Sequence, residues 1–479
     1  MKRLSKKQMW IFAIGQLGWS ILGGIINAWL VTFYLPTAGD IQSGAISYIQ
    51  GGFIFWVFTI LGIITFICRI FDAITDPLIA TWSDRSKNPK GRRIPFMRYS
   101  AIPFSICTIL VFWAPVDKIS NINVFWILGF LLLFYFFMTM YCTPYNALIS
   151  EFGKTEDDRM FISTAISLTY FGGTVLAYLP FVLGGPLQKI VSFNMSYRIC
   201  FIVLAVIACI CMLLPTFLLK EKDFINTEPS KTPVFRSLAA TYKNKDFRIF
   251  VGSDIAYWIG LTLFQTGLPF FVKVSMNLDS SYTMIFLAGM TILSACFYPV
   301  VSKFVKKFGK KKMTITGFLG LALSYIFTSL IGLIPLPGIV WGILIVVVAS
   351  FPMALLGIIP QSIVADIAEE DSIKTSENRQ GMFFASRTFA MKLGQSIAML
   401  AFTSLAIIGA KQEEGSNDIV ASQLGLRWVA IVAIFFCVLG AVILFFYNEK
   451  GIMKVIGKNK TEAIAKSDNI GTGQDADQL

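Results

Sequence analysis

The sequence has 479 residues, of which 55% are hydrophobic and only 14% are charged, and its mean hydropathy is +0.68. A soluble globular domain carries about a quarter charged residues, so this composition excludes a soluble protein and predicts a polytopic membrane protein. The chain contains no His, which excludes imidazole metal sites, His-based catalytic triads and His proton relays.

Twelve segments are predicted to cross a membrane as helices, since such a helix needs about 20 largely apolar residues. In chain order they are residues 10–36, 48–80, 99–115, 122–150, 161–183, 199–219, 247–272, 283–302, 313–334, 338–366, 381–409 and 425–447. The polar remainder from Asn448 is rich in Gly, Asp and Gln towards its end, which predicts a disordered tail.

The distribution of Lys and Arg assigns both termini to the cytoplasm. Of the 41 Lys and Arg residues, 32 fall in segments assigned to one side of the membrane and six in segments assigned to the other. This asymmetry follows the positive-inside rule and agrees with an even number of spans. It also accounts for the net charge of +13, so no nucleic-acid partner is expected.

The two halves of the chain echo one another. After the second and the eighth span, a Pro is followed by one to two helical turns and then by a Gly turn rich in Lys and Arg. The matching stretches are residues 77–93 and 299–312. Two six-helix halves around a midplane site are typical of secondary transporters. The chain is therefore divided into a bundle at 1–219, a central cytoplasmic loop at 220–248, a bundle at 249–447 and a cytoplasmic tail at 448–479.

The second span contains Arg69, Asp72 and Asp76. Ionisable groups in the hydrocarbon are costly and usually face a polar cavity. Asp72 and Asp76 are four residues apart, so they share one face of a helix. Two like charges so close repel unless a positive charge joins them, and Arg69, a proton or a metal cation would supply it. The stretch predicts a cation site within the membrane, against the alternative of a charge network that only holds helices together.

Three basic residues within spans have two interpretations each. Arg69 is either a fixed counter-ion of Asp72 or a switching group. Lys392 lies in the middle of the eleventh span, where pairing with Asp72 or Asp76 would link the cation site to the substrate; the alternative is snorkelling to an interface. Arg387 is roughly 140° away from Lys392 around the helix. It either lines the cavity, which would favour an anionic substrate such as a uronide, or anchors a neighbouring helix.

Three blocks of sequence resemble the glycoside–pentoside–hexuronide:cation symporters, the family of the melibiose permease. The blocks are residues 69–77 with 84–85 and 91–95, residues 364–371, and residues 379–382 with 392–394. They occur in the same order on matching helices, and the layout of spans matches to about Tyr447. The resemblance implies an all-α major facilitator fold of two pseudo-repeated six-helix halves.

The resemblance also implies a cation site. Asp72 and Asp76 match two carboxylates of the family's second helix, and Thr139 matches a hydroxyl ligand on the fourth. Thr75 stands where the best-known sodium-using member has Asn, and an acidic position of the fourth helix is Cys142. Oxygen ligands suit Na⁺ or Li⁺, and a carboxylate pair also suits H⁺. The expected coupling ion is therefore Na⁺ or H⁺, with the two replacements weakening the case for Na⁺, and no other metal or cofactor is expected.

The family's galactoside-binding positions carry over poorly, which argues against melibiose-like substrates. The positions that differ are Gln16, Leu17, Asn146 and Ser167, whereas Thr388 and Lys392 match. Sugar sites stack a ring face on an aromatic side chain and bind hydroxyls with polar groups. On these grounds the candidate substrate-binding residues are Trp19, Tyr145, Asn146, Tyr257, Trp258, Arg387 and Thr388.

The loop after the second span resembles the cytoplasmic loop signature of the major facilitator superfamily. Together with the end of the tenth span it predicts a gating site. Its residues are Asp84, Arg85, Gly91, Arg92, Arg93 and Asp366. Ion pairs between the acidic loop at Asp366 and basic loops of the other half would latch one conformation.

The expected function is cation-coupled symport of a sugar, glycoside or uronide across the cell membrane by a monomer. The expected partners are a small-molecule substrate, a monovalent cation and membrane lipids. Two alternatives stay open. One is a transporter-derived sensor that binds substrate without moving it. The other is a carrier of lipid-like amphiphiles, which the apolar positions Leu17 and Cys142 would permit. An enzyme is least expected, since the sequence shows no catalytic constellation.

Overall fold

The computed structural model describes residues 3–54, 58–84, 86, 88–89, 91–153, 156–224, 241–375, 380–410 and 420–458. Within them every long element is an α-helix, and the strands are limited to one short antiparallel hairpin of β1 (Phe53–Ile54) and β2 (Phe58–Thr59). The predicted all-α class is therefore confirmed.

Fifteen α-helices and a 3₁₀-helix, Glu221–Asp223, lie within the described residues. The α-helices are α1 Lys6–Tyr34, α2 Ala38–Gln42, α3 Ile60–Asp84, α4 Ile94–Val111, α5 Asn121–Phe152, α6 Glu156–Ala177, α7 Pro180–Leu187, α8 Phe193–Leu218, α9 Lys245–Phe270, α10 Ser281–Phe308, α11 Lys310–Leu330, α12 Gly338–Thr375, α13 Gln380–Leu405, α14 Gln423–Phe445 and α15 at residues 449–458. A π-helical turn, Phe271–Ser275, continues α9.

Ten helical stretches among the described residues are long and apolar enough to cross a membrane, with α6 and α7 forming one of them. Two more long helices, α3 and α13, fall outside this group because they carry charged and polar side chains. They have 25 and 26 residues and pack against each other and against spanning helices. Including them gives the twelve predicted crossings, and the two exceptions are the helices on which the sequence places the ionisable groups.

The helices form two six-helix sets with the same internal packing. In the first set the spans are α1, α3, α4, α5, α6 and α8, and in the second they are α9, α10, α11, α12, α13 and α14. In each set the first span packs against the fifth and sixth, the second against the fourth, and the third against the fourth and sixth. The second span of the first set, α3, packs against the fifth span of the second set, α13. This α3–α13 contact forms a large part of the junction between the halves.

The inner end of the bundle, which carries the start of α1 and is predicted to be cytoplasmic, contains a carboxylate cap on α4. Glu221 accepts hydrogen bonds from the backbone N–H groups of Arg92, Arg93 and Ile94 at 2.8, 2.9 and 2.9 Å. A negative group satisfies the free N–H groups of a helix N-terminus. Gly91 precedes the helix with φ of +124°, and a Cβ there would lie 2.3 Å from a Glu221 oxygen.

The second half repeats this cap on α11. Glu449 accepts hydrogen bonds from the backbone N–H groups of Lys310 and Lys311 at 2.6 and 3.0 Å, and Gly309 has φ of +86°. The polar composition from Asn448 onwards predicted disorder, and this prediction was wrong for residues 449–458. They form α15 because Glu449 is bound and the side chains of Ile452 and Ile456 are buried. Residues 459–479 lie outside the described part of the chain.

The second span starts later than predicted. The sequence predicted a helix from residue 48, but α3 begins at Ile60 and the β1–β2 hairpin precedes it. The difference has a local cause, because Gly51-Gly52 disfavours a helix and the aromatic and β-branched residues that follow favour strands.

Polar contacts among the described residues also join the halves at the end of the bundle opposite the start of α1, which is predicted to be the outer end. The Lys273 ammonium lies 2.7 Å from Asp40 Oδ1, and the Ser280 hydroxyl donates to the Phe181 carbonyl at 3.3 Å. Asp40 Oδ2 accepts hydrogen bonds from the N–H and hydroxyl of Thr37 at 3.0 and 2.7 Å. The N-terminal cap of α2 therefore holds the Asp40 carboxylate in position for Lys273.

Candidate cation and substrate site

The charged residues of α3 and α13 meet where the two halves pack together. Lys392 Nζ lies 2.8 Å from Asp72 Oδ1 and 2.6 Å from Asp76 Oδ2. It also approaches the Asp72 carbonyl at 3.4 Å. The pairing that the sequence predicted across 320 residues is therefore present, and one ammonium bridges two carboxylates that share a helix face.

Hydroxyls of α5 complete the cluster. Thr139 donates to Asp72 Oδ1 at 2.9 Å, and Thr143 donates to Asp76 Oδ1 at 3.3 Å. Thr75 donates to the carbonyl of Asp72 at 3.0 Å and its hydroxyl lies 3.4 Å from that of Thr139. Sequence reasoning missed Thr143, although its spacing from Thr139 repeats the spacing of the two carboxylates.

The two carboxylates differ in burial. Asp72 is fully buried, and its Oδ2 atom has no hydrogen-bond partner within the described part of the chain. The Asp76 side chain is 26% exposed. A buried charged oxygen without a partner is costly. Asp72 Oδ2 can therefore bind one more cation or accept a proton.

Arg69 does not join this cluster in the observed conformation. Its Nη2 donates to Asn27 Oδ1 at 2.6 Å, and its guanidinium lies 5.0 Å from the centre of the Tyr135 ring. Among the described residues no ion pair links Arg69 to Asp72. The fixed counter-ion alternative is therefore not realised here, and a switching role for Arg69 stays a prediction.

A second buried ion pair lies within the second half. Arg387 binds Asp254 through Nε–Oδ2 and Nη2–Oδ1 contacts of 2.9 and 3.0 Å, and both side chains are buried. Arg387 therefore anchors α13 to α9. Its predicted substrate role stays a prediction, but any such role starts from a paired guanidinium.

The candidate substrate residues occupy different environments. Asn146 and Thr388 are exposed on their helices. Trp19 is half-buried and faces Tyr170 with ring centres 6.3 Å apart, and Tyr170 is itself 51% exposed. Sequence reasoning missed Tyr170, because an aromatic residue in an apolar span carries no distinguishing signal.

Of the remaining aromatic candidates, Tyr145 and Tyr257 are buried in this conformation and Trp258 is half-buried. Tyr145 stacks on Phe12 with ring centres 4.3 Å apart and donates its hydroxyl to the Phe12 carbonyl at 2.9 Å. Tyr257 is buried against Trp258, with ring centres 5.3 Å apart. Substrate binding by these three residues stays a prediction.

The predicted gating residues form contacts within each half. Arg92 and Arg93 bind Glu151 Oε1 at 3.3 and 2.9 Å. Asp366 pairs with Lys310, so this ion pair lies inside the second half and is not a latch across the halves. Asp84 is the last residue of α3, and Arg85 lies outside the described residues.

These features define a class of protein, a multi-pass membrane transporter with a charged cluster at the junction of two repeated helical halves. Residues 11–449 match the family described as MFS/sugar transport protein. The chain therefore belongs to this family of the major facilitator superfamily.

Similar proteins agree with this assignment. A proposed sulfoquinovose importer of Escherichia coli (strain K12) is 24% identical over 97% of this chain and 96% of its own length. A sodium-dependent lysophosphatidylcholine symporter of Xenopus tropicalis is 22% identical over 80% of this chain and 78% of its own length. The crystal structure of a mutant nucleoside transporter NupG has the same fold, with a TM-score of 0.64, 13% identity and coverage of 92% of this chain and 98% of that protein.

Proposed function

We propose that the protein imports a sugar, glycoside or uronide across the cell membrane by symport with a monovalent cation. One observation carries the proposal: the Lys392 ammonium lies 2.8 and 2.6 Å from Asp72 and Asp76, on opposite sides of the junction between the halves. The family assignment supports a sugar as the class of substrate.

The cation and Lys392 would compete for one place. A cation can bind both carboxylates only if the ammonium moves away, and the incoming unit charge then compensates the carboxylates that the ammonium leaves. Lys392 then has three N–H groups free to bind substrate oxygens. Because α3 and α13 belong to different halves, the exchange loosens their junction and permits the halves to rock around the substrate. This mechanism predicts one cation per substrate.

The ion is proposed to be Na⁺ or H⁺. Lys392 contacts the carboxylates of Asp72 and Asp76, which also accept hydrogen bonds from the hydroxyls of Thr139 and Thr143. Such oxygens suit hard cations. The unpartnered Asp72 Oδ2 would equally accept a proton.

Carriage of lipid-like amphiphiles is the second candidate. It is favoured by the similarity to the lysophosphatidylcholine symporter and by the half-buried apolar side chains of Leu17 and Cys142. Both candidates use the same cation cluster and differ in what occupies the cavity.

Uptake by proteoliposomes separates these functions. We expect an imposed Na⁺ or H⁺ gradient to accumulate one member of a panel of sugars, glycosides and uronides. Accumulation of a lysolipid without any sugar would favour the second candidate, and substrate binding without flux would favour a sensor. Sugar uptake that ignores both gradients would contradict symport.

Breaking the outer ion pair should open the small cavity beside it to the outside. The Asp40–Lys273 contact of 2.7 Å joins the halves, and Thr32 lines this cavity together with Asp40 and Lys273. A partly buried pair of this kind contributes about 1 kcal/mol, which is a several-fold change in population. We expect Lys273→Met to raise the rate at which an impermeant maleimide labels Thr32→Cys from outside by about that factor.

The companion variant is Asp40→Asn, which removes the charge that pairs with Lys273 but keeps an oxygen for Thr37. We expect the double variant Asp40→Asn/Lys273→Met to label no faster than either single variant, since both remove the same contact. Additive increases would show that the two residues act independently and would contradict a latch.

A further inference from the structure

Two parallel helices present a ladder of carboxylates and hydroxyls. On α3 the carboxylates Asp72 and Asp76 are four residues apart, and on α5 the hydroxyls Thr139 and Thr143 are four residues apart. The contacts pair them in register, Thr139 with Asp72 at 2.9 Å and Thr143 with Asp76 at 3.3 Å. Each Asp–Thr pair is one rung of this ladder, and Lys392 contacts both rungs.

The hydrogen bonds of Thr139 and Thr143 differ from those of most hydroxyls in these helices. Many other hydroxyls of the spanning helices donate to a carbonyl three or four residues earlier in their own helix, as Thr108 does to Phe104 at 2.9 Å and Ser100 does to Phe96 at 2.8 Å. That bond is the default for a Ser or Thr within a helix. Thr143 instead donates to a carboxylate on another helix, so its hydroxyl serves the charged cluster and not its own backbone.

The two rungs differ in access. Asp72 and Thr139 are fully buried, whereas the Asp76 side chain is 26% exposed and Thr143 is half-buried. An ion that approaches the cluster therefore reaches the Asp76–Thr143 rung before the Asp72–Thr139 rung.

We infer that Thr143 is a ligand of the coupling ion and that the Asp76–Thr143 rung is where the ion enters the site. This inference rests on the proposed cation symport. A hydroxyl has one donor and two acceptor positions, so Thr143 can hold Asp76 and at the same time offer a lone pair to an alkali cation. Thr143 thereby adds an oxygen to a site that Na⁺ or Li⁺ requires to be oxygen-rich, whereas a proton needs only one carboxylate oxygen.

The test compares variants of the full-length protein in proteoliposomes, with uptake of the transported sugar measured against Na⁺ and Li⁺ concentration at fixed pH. We expect Thr143→Val, which keeps the side-chain shape, to raise the half-saturating Na⁺ concentration about tenfold, the effect of losing one good polar contact. Thr143→Ser keeps the hydroxyl and should stay within about twofold of wild type. Thr108→Val is the matched control, since it removes a buried hydroxyl that serves only its own helix.

A second readout does not depend on transport. Na⁺ should raise the melting temperature of the detergent-solubilised wild type and of Thr143→Ser, because a ligand that binds only the folded state stabilises it. The rise should require higher Na⁺ for Thr143→Val, which also shows whether that variant is folded.

The outcomes distinguish a failure of the inference about Thr143 from a failure of the proposed cation symport. Unchanged Na⁺ dependence of Thr143→Val in a Na⁺-coupled wild type would overturn the inference and leave symport intact. Uptake driven by a H⁺ gradient with no response to Na⁺ or Li⁺ would do the same. If no cation gradient drives uptake by the wild type, the proposed function itself fails.

Discussion

Replacing Asp76 with Cys is expected to abolish uphill transport. The variant loses the carboxylate oxygen 2.6 Å from Lys392 and the acceptor of the Thr143 hydroxyl. A cation then no longer binds one conformation more tightly than the other, so its gradient cannot drive the change between them. In proteoliposomes with a Na⁺ or H⁺ gradient, the inside-to-outside ratio of substrate should fall to about one.

The control for this variant is Asp117→Cys, which removes an exposed carboxylate outside the helices and should accumulate substrate like wild type. Asp76→Asn tests the same point with the side-chain shape preserved. Full accumulation by either Asp76 variant would remove Asp76 from the coupling mechanism.

Replacing Lys392 with Met is expected to cause the largest loss of stability. It leaves the fully buried Asp72 and its neighbour Asp76 without the ammonium that bridges them. Removing one partner of a buried ion pair costs about 3–5 kcal/mol, because the remaining charge is uncompensated. We expect a clear fall in melting temperature in detergent at neutral pH, with partial recovery when Na⁺ is added or the pH is lowered.

A second substitution distinguishes charge from packing. Lys392→Met/Asp76→Asn removes one of the two negative charges and should be more stable than Lys392→Met alone, although it should not couple transport to an ion. Lys392→Met with wild-type stability at every pH and salt concentration would show that the ammonium is not needed to balance the carboxylates.

The cation cluster was readable from sequence because its main signal is local. Asp72 and Asp76 share a helix face by spacing alone, and Lys392 is conspicuous in the middle of a span. The resemblance to a symporter family supplied Thr139. The register of α3 against α5 is not contained in either segment, and without that register Thr143 is one hydroxyl among many.

The second buried pair shows the same limit. Arg387 was recognised as an ionisable residue within a span, but its partner Asp254 is 133 residues away in the sequence. No spacing rule joins them, and only the packing of α9 on α13 brings the carboxylate and guanidinium to 2.9 Å. The resulting pair makes Arg387 an anchor between helices. The sequence did not favour this role over a role in the cavity.

Where the fold departed from prediction, long-range contacts or local breakers decided the outcome. Gly51-Gly52 disfavours a helix, so the second span starts later than predicted and the β1–β2 hairpin precedes it. The segment after Asn448 is polar enough to suggest disorder, but Glu449 binds the N-terminus of α11, a contact that mirrors Glu221 in the first half. That symmetry became visible only once both halves were seen together.

The most direct test of cation-coupled symport is the sugar gradient that an imposed ion gradient can hold in proteoliposomes at zero membrane potential. If one cation exchanges with Lys392 per transport cycle, an about tenfold gradient of the coupling ion should hold an about tenfold gradient of the transported sugar. Equal sugar concentrations inside and outside, whatever gradient of Na⁺ or H⁺ is applied, would contradict the account.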